Sequence, residues 1–296
     1  MNDVQGKPPA IALRQVAFGR SGEENPVLSG IDLTIPAGQW VAIAGANGCG
    51  KSTLLRLVNG LLKPTSGDIA INGHALASDR SWEIRMDIGT VFANPDNQFV
   101  GATVRDDIAF GLENRQLARD EMVQRVEHYA DMLHVTPLLD RHPAMLSGGQ
   151  KQRVALASVL AMEPSLILFD EATSMLDEGS KNELLALMKE MHSSKRYTMV
   201  CVSHDTDELL AAERLIALGG GAIIGDGEPE ELFRDAELLQ ACRLGTPYLL
   251  QLSRELKALG LPIKEALTER EVLEQLWTLG WKTSPTATPM PAASRP

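Results

Sequence analysis

The eight residues from Gly45 to Ser52, GANGCGKS, constrain this chain more than any other stretch. Their pattern, G-x-x-x-x-G-K-[ST], is one in which backbone N–H groups curl around an anion. An apolar run from Trp40 to Ala44 precedes the segment and a helix-like run from Thr53 to Leu62 follows it, so it is expected where a buried strand turns into a helix. Gly45, Gly48 and Gly50 let the backbone aim its N–H groups at phosphate oxygens at the helix N-terminus. Lys51 is then expected to reach the β- and γ-phosphates of a nucleotide, and Ser52 to offer a hydroxyl to Mg²⁺. The alternative is an ordinary glycine turn before a helix, which the flanking strand and helix disfavour.

Further along, short apolar runs alternate with amphipathic stretches. VAIAG at Val41, IGTVF at Ile88, LILFD at Leu166, TMVCVS at Thr198 and RLIAL at Arg214 read as buried strands. Strands separated by helices imply an α/β fold whose parallel sheet is covered on both faces. Between Val104 and Leu139, Leu117, Met122, Val126 and Tyr129 recur at helical spacing, predicting a helical subdomain inserted over about 94–162 within a main domain of residues 10–227. Beyond it, Pro229 suits a first helical turn and Thr268-Glu269-Arg270-Glu271 has the reciprocal capping pattern, so residues 228–283 read as a helical appendage. Residues 1–9 and the proline- and alanine-rich 284–296 have little to bury and are expected to be disordered.

At 296 residues and 44% hydrophobic content the chain can bury a full core. Its net charge of −11 argues against general attraction to nucleic acid or an anionic membrane surface. Cys49, Cys201 and Cys242 make no metal-ligand spacing, which suits a reducing compartment. With no basic-then-apolar leader and no run of about 18 apolar residues, any membrane role is expected to come through a partner.

LILFDE ends an apolar strand in two carboxylates, placing Asp170 to hold Mg²⁺ through water and Glu171 to act on an attacking water, although strands ending in acidic residues are common. LSGGQ, Leu146 to Gln150, opens the helix KQRVALASVLAME, and its N-terminus can receive an anion. His204 follows the strand after Glu171. A lone histidine there is more often a cap, yet a neutral imidazole at this point could hydrogen-bond a γ-phosphate. Cys49 lies inside the glycine loop, where a helix N-terminus could activate its thiol toward alkylation or where a small residue simply fits the turn.

In this order GANGCGKST, LSGGQKQR, LILFDEATSMLD and VSHD resemble an ATP-binding cassette (ABC) ATPase over roughly Ile11 to Phe233. The resemblance implies a P-loop NTPase fold with a parallel core sheet, an antiparallel N-terminal β subdomain, the inserted helical subdomain and a C-terminal helical extension. It implies ATP and Mg²⁺ as ligands and a head-to-tail dimer of ATPase subunits. It assigns nucleotide contacts to Gly45, Ala46, Asn47, Gly48, Cys49, Gly50, Lys51, Ser52 and Thr53, with Ser147, Gly148, Gly149 and Gln150 meeting the γ-phosphate held by the partner. It also implies catalysis by Lys51, Glu171 and His204, metal binding by Ser52 and Asp170, and communication across the dimer by Asp177.

Two positions depart from the family. Ala93 stands where a glutamine reaches Mg²⁺, with Gln98 five residues on; Arg20 falls near the aromatic that stacks on adenine, with Phe18 two residues earlier. A guanidinium can also stack on a base through its planar face.

NPDNQFVGATVRDDIAFGLEN from Asn94, and TPYLLQLSRELKALGLPIKEALTEREVLEQLW from Thr246, are similar to the ATPase subunits of energy-coupling-factor (ECF) transporters, and KQR after LSGGQ to the first of their two paired ATPases. That similarity implies a peripheral subunit on the cytoplasmic face of the cell membrane, powering uptake of vitamins or transition-metal ions. Its partners would be a second ATPase, a membrane coupling protein and a substrate-binding membrane protein, with no nucleic acid. Asn94 to Val100 would receive a helix of the coupling protein, and Asp106 and Asp107 either attract its arginines or are solvated first-turn residues. The extension over 228–283 would help hold the ATPase dimer. Competing classes are an ABC ATPase acting on nucleic acid or ribosomes, for which coiled coils, zinc modules or tandem cassettes are missing, and a non-hydrolysing subunit, against which Glu171 and His204 speak.

Overall fold

The computed structural model describes residues 8–19, 26–77, 79 and 81–279. Apart from Pro8 and Pro9, the expected disordered ends lie outside these residues, as does Arg20. In chain order the elements begin with β1 (Ile11–Phe18), β2 (Leu28–Ile35), β3 (Trp40–Gly45), α1 (Lys51–Val58), β4 (Ser66–Ile71), β5 (His74–Ala75), α2 (Ser81–Met86) and β6 (Ile88–Phe92). Then follow α3 (Val104–Asn114), α4 (Arg119–Met132), α5 (Gly148–Ala161), β7 (Leu166–Asp170), α6 (Glu178–Ser193), β8 (Thr198–Val202) and α7 (Thr206–Ala211). The chain continues through β9 (Arg214–Gly219), β10 (Ala222–Gly227), α8 (Pro229–Leu232), α9 (Ala236–Cys242), α10 (Tyr248–Ala258) and α11 (Glu269–Thr278).

Two sheets result. The antiparallel one has the order β2-β1-β4-β5, and β2 alternates buried and exposed residues as a strand with one solvated face must. The larger has the order β10-β9-β3-β8-β7-β6, and its inner strands β3 and β8 are buried along their whole length. The five strands anticipated in sequence run parallel, joined by crossovers as parallel pairing demands. Edge strand β10 instead runs antiparallel to β9, because Gly220 and Gly221 both take positive φ and close a two-residue hairpin.

The main core lies where α1 packs between the sheets. Leu54, Leu57 and Val58 of α1 join Ile11, Ile31 and Ile71 of the antiparallel sheet and Ile43, Leu168, Val200 and Ile216 of the larger one. Burying each such side chain contributes about 1.5–3 kcal/mol, so the strand-loop-helix unit is anchored on both sides.

The inserted helices α3, α4 and α5 pack on one another, and α5 also meets β6 and α6. Asp106 completes a capping box with Thr103 at the start of α3. Asp107 is buried, and its Oδ1 accepts hydrogen bonds from the N–H groups of Val100 (2.7 Å) and Gly101 (2.8 Å). Asp107 is therefore not a solvated first-turn residue: it pins the loop before α3, while the exposed Asp106 caps the helix.

The first compact unit runs through Gly245, beyond the expected end of the sheet domain at residue 227. The extra length is held because α8 packs on β9 and β10, and α9 on β3 and β9. In the second unit α10 and α11 pack together around the buried Ser253, whose hydroxyl accepts from the N–H of Ala266 (3.1 Å). Thr268 and Glu271 form the capping box legible in the sequence.

Replacing Asp107 with alanine leaves the Val100 and Gly101 N–H groups without their carboxylate partner. The Asp107→Ala chain is expected to lose about 1–3 kcal/mol of unfolding free energy in urea titration, whereas unchanged stability would contradict the loop-pinning role.

Candidate functional site

The site gathers at the carboxyl ends of the parallel strands, where ligands of such sheets bind. Gly45 closes β3 opposite Leu218 of β9, and a Cβ at Gly45 would sit 2.3 Å from the Leu218 carbonyl oxygen and 2.7 Å from the Cys49 sulfur. Only glycine permits that approach. The chain then turns through a Cys49 N–H to Ala46 carbonyl bond and enters α1 from Gly50, whose φ of 107° is open to glycine. The helix start has no side-chain cap and no acidic residue in its first turn, so its N–H groups and positive dipole end are available to an anion. Asn47, Gly48, Gly50, Lys51, Ser52 and Thr53 line a cleft of about 470 Å³, with Val27 and Glu171 on its walls.

Lys51 is buried, and its ammonium donates to the carbonyls of Gly45 (2.8 Å) and Ala46 (3.3 Å). Ser52 donates from Oγ to Oδ1 of Asp170 at 3.0 Å, which joins α1 to the end of β7. Glu171 follows in a left-handed conformation with φ of 55°, unusual for a non-glycine residue and the kind of backbone strain found at functional sites. Its N–H donates to the Val202 carbonyl, and its own carbonyl accepts from the N–H and hydroxyl of Ser174. His204 Nε2 lies 3.5 Å from Glu171 Oε1. Partial burial, seconded by the nearby Lys51 ammonium, lowers the His204 pKa below the ordinary imidazole value, against a smaller opposing pull from Glu171. A neutral imidazole is thereby favoured.

The structure thus brings Lys51, Ser52, Asp170, Glu171 and His204 together. Ser147 to Gln150 are absent from the lining of this cleft. Ser147 caps α5 in a reciprocal box with Gln150, Ser147 and Gly148 are exposed, and a Cβ on Gly149 would meet Ser180 Oγ at 2.4 Å. Glycine there lets the start of α5 press on that of α6. Asp177 spends its carboxylate capping α6, with hydrogen bonds from the Ser180 N–H (3.0 Å) and hydroxyl (2.8 Å).

Other expectations change. Gln98 is no substitute for a glutamine at position 93: its Oε1 accepts from the Phe92 N–H (3.0 Å) and its Nε2 donates to the Thr90 carbonyl (3.1 Å), tying the loop back onto β6. Cys49 faces inward in the main core cluster, which supports its reading as a small residue that fits the turn. Phe18 is half-buried against that same cluster. Sequence reasoning missed Gln152, which holds the Phe92 carbonyl (3.1 Å), and Lys151, which pairs with Asp96 (2.7 Å); together they bind α5 to the loop carrying Ala93. It also missed the buried Glu208, whose only signal was an acidic residue on the inward face of α7.

The "Energy-coupling factor transporter ATP-binding protein EcfA1" of Halalkalibacterium halodurans is 44% identical over 269 residues, covering 90% of this chain and 96% of that protein. The chain belongs to the ABC transporter ATPases, in the energy-coupling factor group. The ABC transporter family model matches residues 28–174, spanning the glycine loop, LSGGQ, Asp170 and Glu171 and stopping short of His204. Among solved structures, CbiO1 from Clostridium perfringens, part of the ABC transporter complex CbiONQ, is 32% identical with a TM-score of 0.74 over 86% of this chain and 98% of its own. A dimeric ATP-binding cassette in a post-hydrolysis state, bound to ADP and Pi, is 30% identical with a TM-score of 0.67 over 74% of this chain and 98% of its own. This ABC ATPase is an ATP-binding, ATP-hydrolysing transporter subunit with an α/β cassette fold.

Because the His204 pKa is lowered, its imidazolium is lost before the pH reaches about 6.5 on alkalinisation. A histidine Cε1–H NMR titration, assigned with His204→Gln, is expected to show a midpoint below that value; one above it would contradict the electrostatics described.

Proposed function

We propose that this chain powers an ECF importer of vitamins or transition-metal ions, hydrolysing ATP held between its own phosphate loop and the signature segment of a second ATPase chain. The observation that carries this reading is the convergence of five groups at the carboxyl ends of the parallel strands: Lys51, Ser52 and Glu171 line the cleft above α1, Asp170 bonds Ser52, and His204 stands beside Glu171. The exposed Ser147 and Gly148 lie outside that cleft, as a segment that completes a partner's site would.

Ser52 Oγ and Asp170 Oδ1, 3.0 Å apart, are the hard oxygen donors that suit Mg²⁺. No group of three or more His, Cys, Asp or Glu among the described residues forms an all-protein cage, consistent with an ion held largely by phosphate and water. Bound there, Mg²⁺ would neutralise charge on the β- and γ-phosphates. With Gln98 committed to β6, the protein's share of its coordination falls to Ser52 and Asp170.

The amides of Gly48 to Thr53 and the Lys51 ammonium hold the phosphates against the start of α1. Glu171 orients a water and accepts its proton as the water oxygen attacks the γ-phosphorus. The bond to the β–γ bridging oxygen breaks, and ADP leaves with that electron pair. Neutral His204 donates a hydrogen bond to the γ-phosphate and holds Glu171 and water in line, so acceleration comes from positioning and charge stabilisation. Arg20, with Phe18, supplies the surface for adenine.

The partners we assign are a paralogous or identical ATPase, a membrane coupling protein and a substrate-binding membrane protein. Val100 and Phe110, both exposed, suit a membrane-protein helix beside Asn94 to Val100. On the second unit the exposed Tyr248, Leu273 and Trp277 suit contact with the other ATPase. No helix among the described residues is long and apolar enough to cross a membrane, and we place the chain peripherally on the cytoplasmic face. The solved relatives, one a dimer and one part of a transporter complex, support this arrangement.

Glu171→Gln keeps the size of the side chain and removes its basicity. It is expected to leave ATP binding intact while lowering kcat by about 100-fold or more, measured as phosphate release. Near-normal turnover would refute the role given to Glu171.

A further inference from the structure

Glu208 lies on α7, just past His204, and is 1% exposed. Its Oε2 accepts two hydrogen bonds, from Thr173 Oγ1 at 2.7 Å and from Ser203 Oγ at 2.8 Å. Both hydroxyl residues are buried. Thr173 stands two residues after Glu171, and Ser203 immediately precedes His204. The Ser203 hydroxyl also accepts from the Asp205 N–H at 3.0 Å, which fixes its proton toward Glu208. A single buried carboxyl oxygen therefore joins the two segments that carry the groups facing the γ-phosphate. The second oxygen, Oε1, is buried with no partner among the described residues. Such an orphan is destabilising and calls for an explanation that fold stability alone does not supply.

We propose that Glu208 is a positioning residue for ATP hydrolysis, its buried carboxyl clamping Thr173 to Ser203 and so fixing Glu171 relative to His204. This rests on the roles given to Glu171 and His204 above. The clamp is needed because Glu171 occupies a left-handed backbone conformation that only its surroundings can hold. The Glu171 N–H to Val202 carbonyl bond also crosses this junction. Charged and titratable neighbours are Asp205 on the same turn, Lys181 on α6, itself paired with Asp205 at 2.7 Å, and Cys201 on β8. Burial pushes the Glu208 carboxyl above the usual range, against the two hydroxyl bonds that stabilise its charge. The phosphate loop lies on other segments, so loosening the clamp acts on turnover and spares nucleotide affinity.

The test compares kcat and KM for MgATP in the assembled complex, with melting temperature as a record of folding. Glu208→Ala is expected to lower kcat about tenfold or more with KM within about twofold. Glu208→Gln, whose amide carbonyl can accept both hydroxyls, is expected to restore kcat to within about threefold of the parent. The double variant Thr173→Val, Ser203→Ala removes the donors and is expected to reproduce the alanine loss, and it decides the matter if Glu208→Ala does not fold. Unchanged kcat in Glu208→Ala, or in the double variant where the alanine chain is unfolded, would overturn the proposal. So would a Glu208→Gln defect as deep as that of alanine. If Glu171→Gln in the same assay is inactive while Glu208→Ala is normal, the clamp alone fails; if Glu171→Gln turns over normally, both readings fall together.

Discussion

Gly45 meets the Leu218 carbonyl so closely that a Cβ would have only 2.3 Å, and the catalytic edge depends on that approach. Because β3 is paired on both sides, by β8 and β9, its end cannot shift to make room. The chain leaves the sheet at a fixed point, turns through glycines and enters α1, which is locked between two apolar sheet faces. The position of the helix N-terminus, and hence of the cleft lined by Lys51 and Ser52, is set by packing on β9, β3 and the core rather than by the loop itself.

From that anchor the polar ties run outward along the strand ends. Ser52 reaches Asp170 on β7, His204 stands beside Glu171, and Glu208 joins the segments behind them. The register makes this possible: Phe92, Asp170 and Val202 are aligned neighbours across β6, β7 and β8, so successive loops emerge at one level. Gln152 adds the signature helix to this frame through the Phe92 carbonyl. A change at the signature segment therefore has a direct polar route to the loop after β6, which is the geometry a coupling ATPase needs.

Much of this was legible from local pattern. The five parallel strands announced themselves as short apolar runs, the phosphate loop as glycines between strand and helix, and the Thr268 box as a spaced hydroxyl and carboxylate. Asp170, Glu171 and His204 were readable because each directly follows or ends such a strand. What escaped was decided by partners distant in sequence or by where a side chain turned. Asp107 read as either a solvated first-turn residue or an attractor for a partner's arginines, and nothing in the sequence pointed to the backbone N–H groups it holds. Gln98, five residues past the expected glutamine position, turned out to have both ends of its amide bound to β6. Glu208 drew no notice in the sequence, since its two hydroxyl partners come from the segments that follow β7 and β8. The packing of α9 on β9 likewise had no signature in periodicity.

Ser147 and Gly148 are exposed and outside the lining of the cleft that holds Lys51, so completion of the site falls to another chain. A photo-crosslinking amino acid placed at Ser147 in the assembled complex, with the captured peptide identified by mass spectrometry, tests it most directly. The expected product, formed more strongly with MgATP, joins position 147 to the phosphate loop of a second ATPase chain. A crosslink to the same chain's own loop, or one indifferent to MgATP, would contradict it.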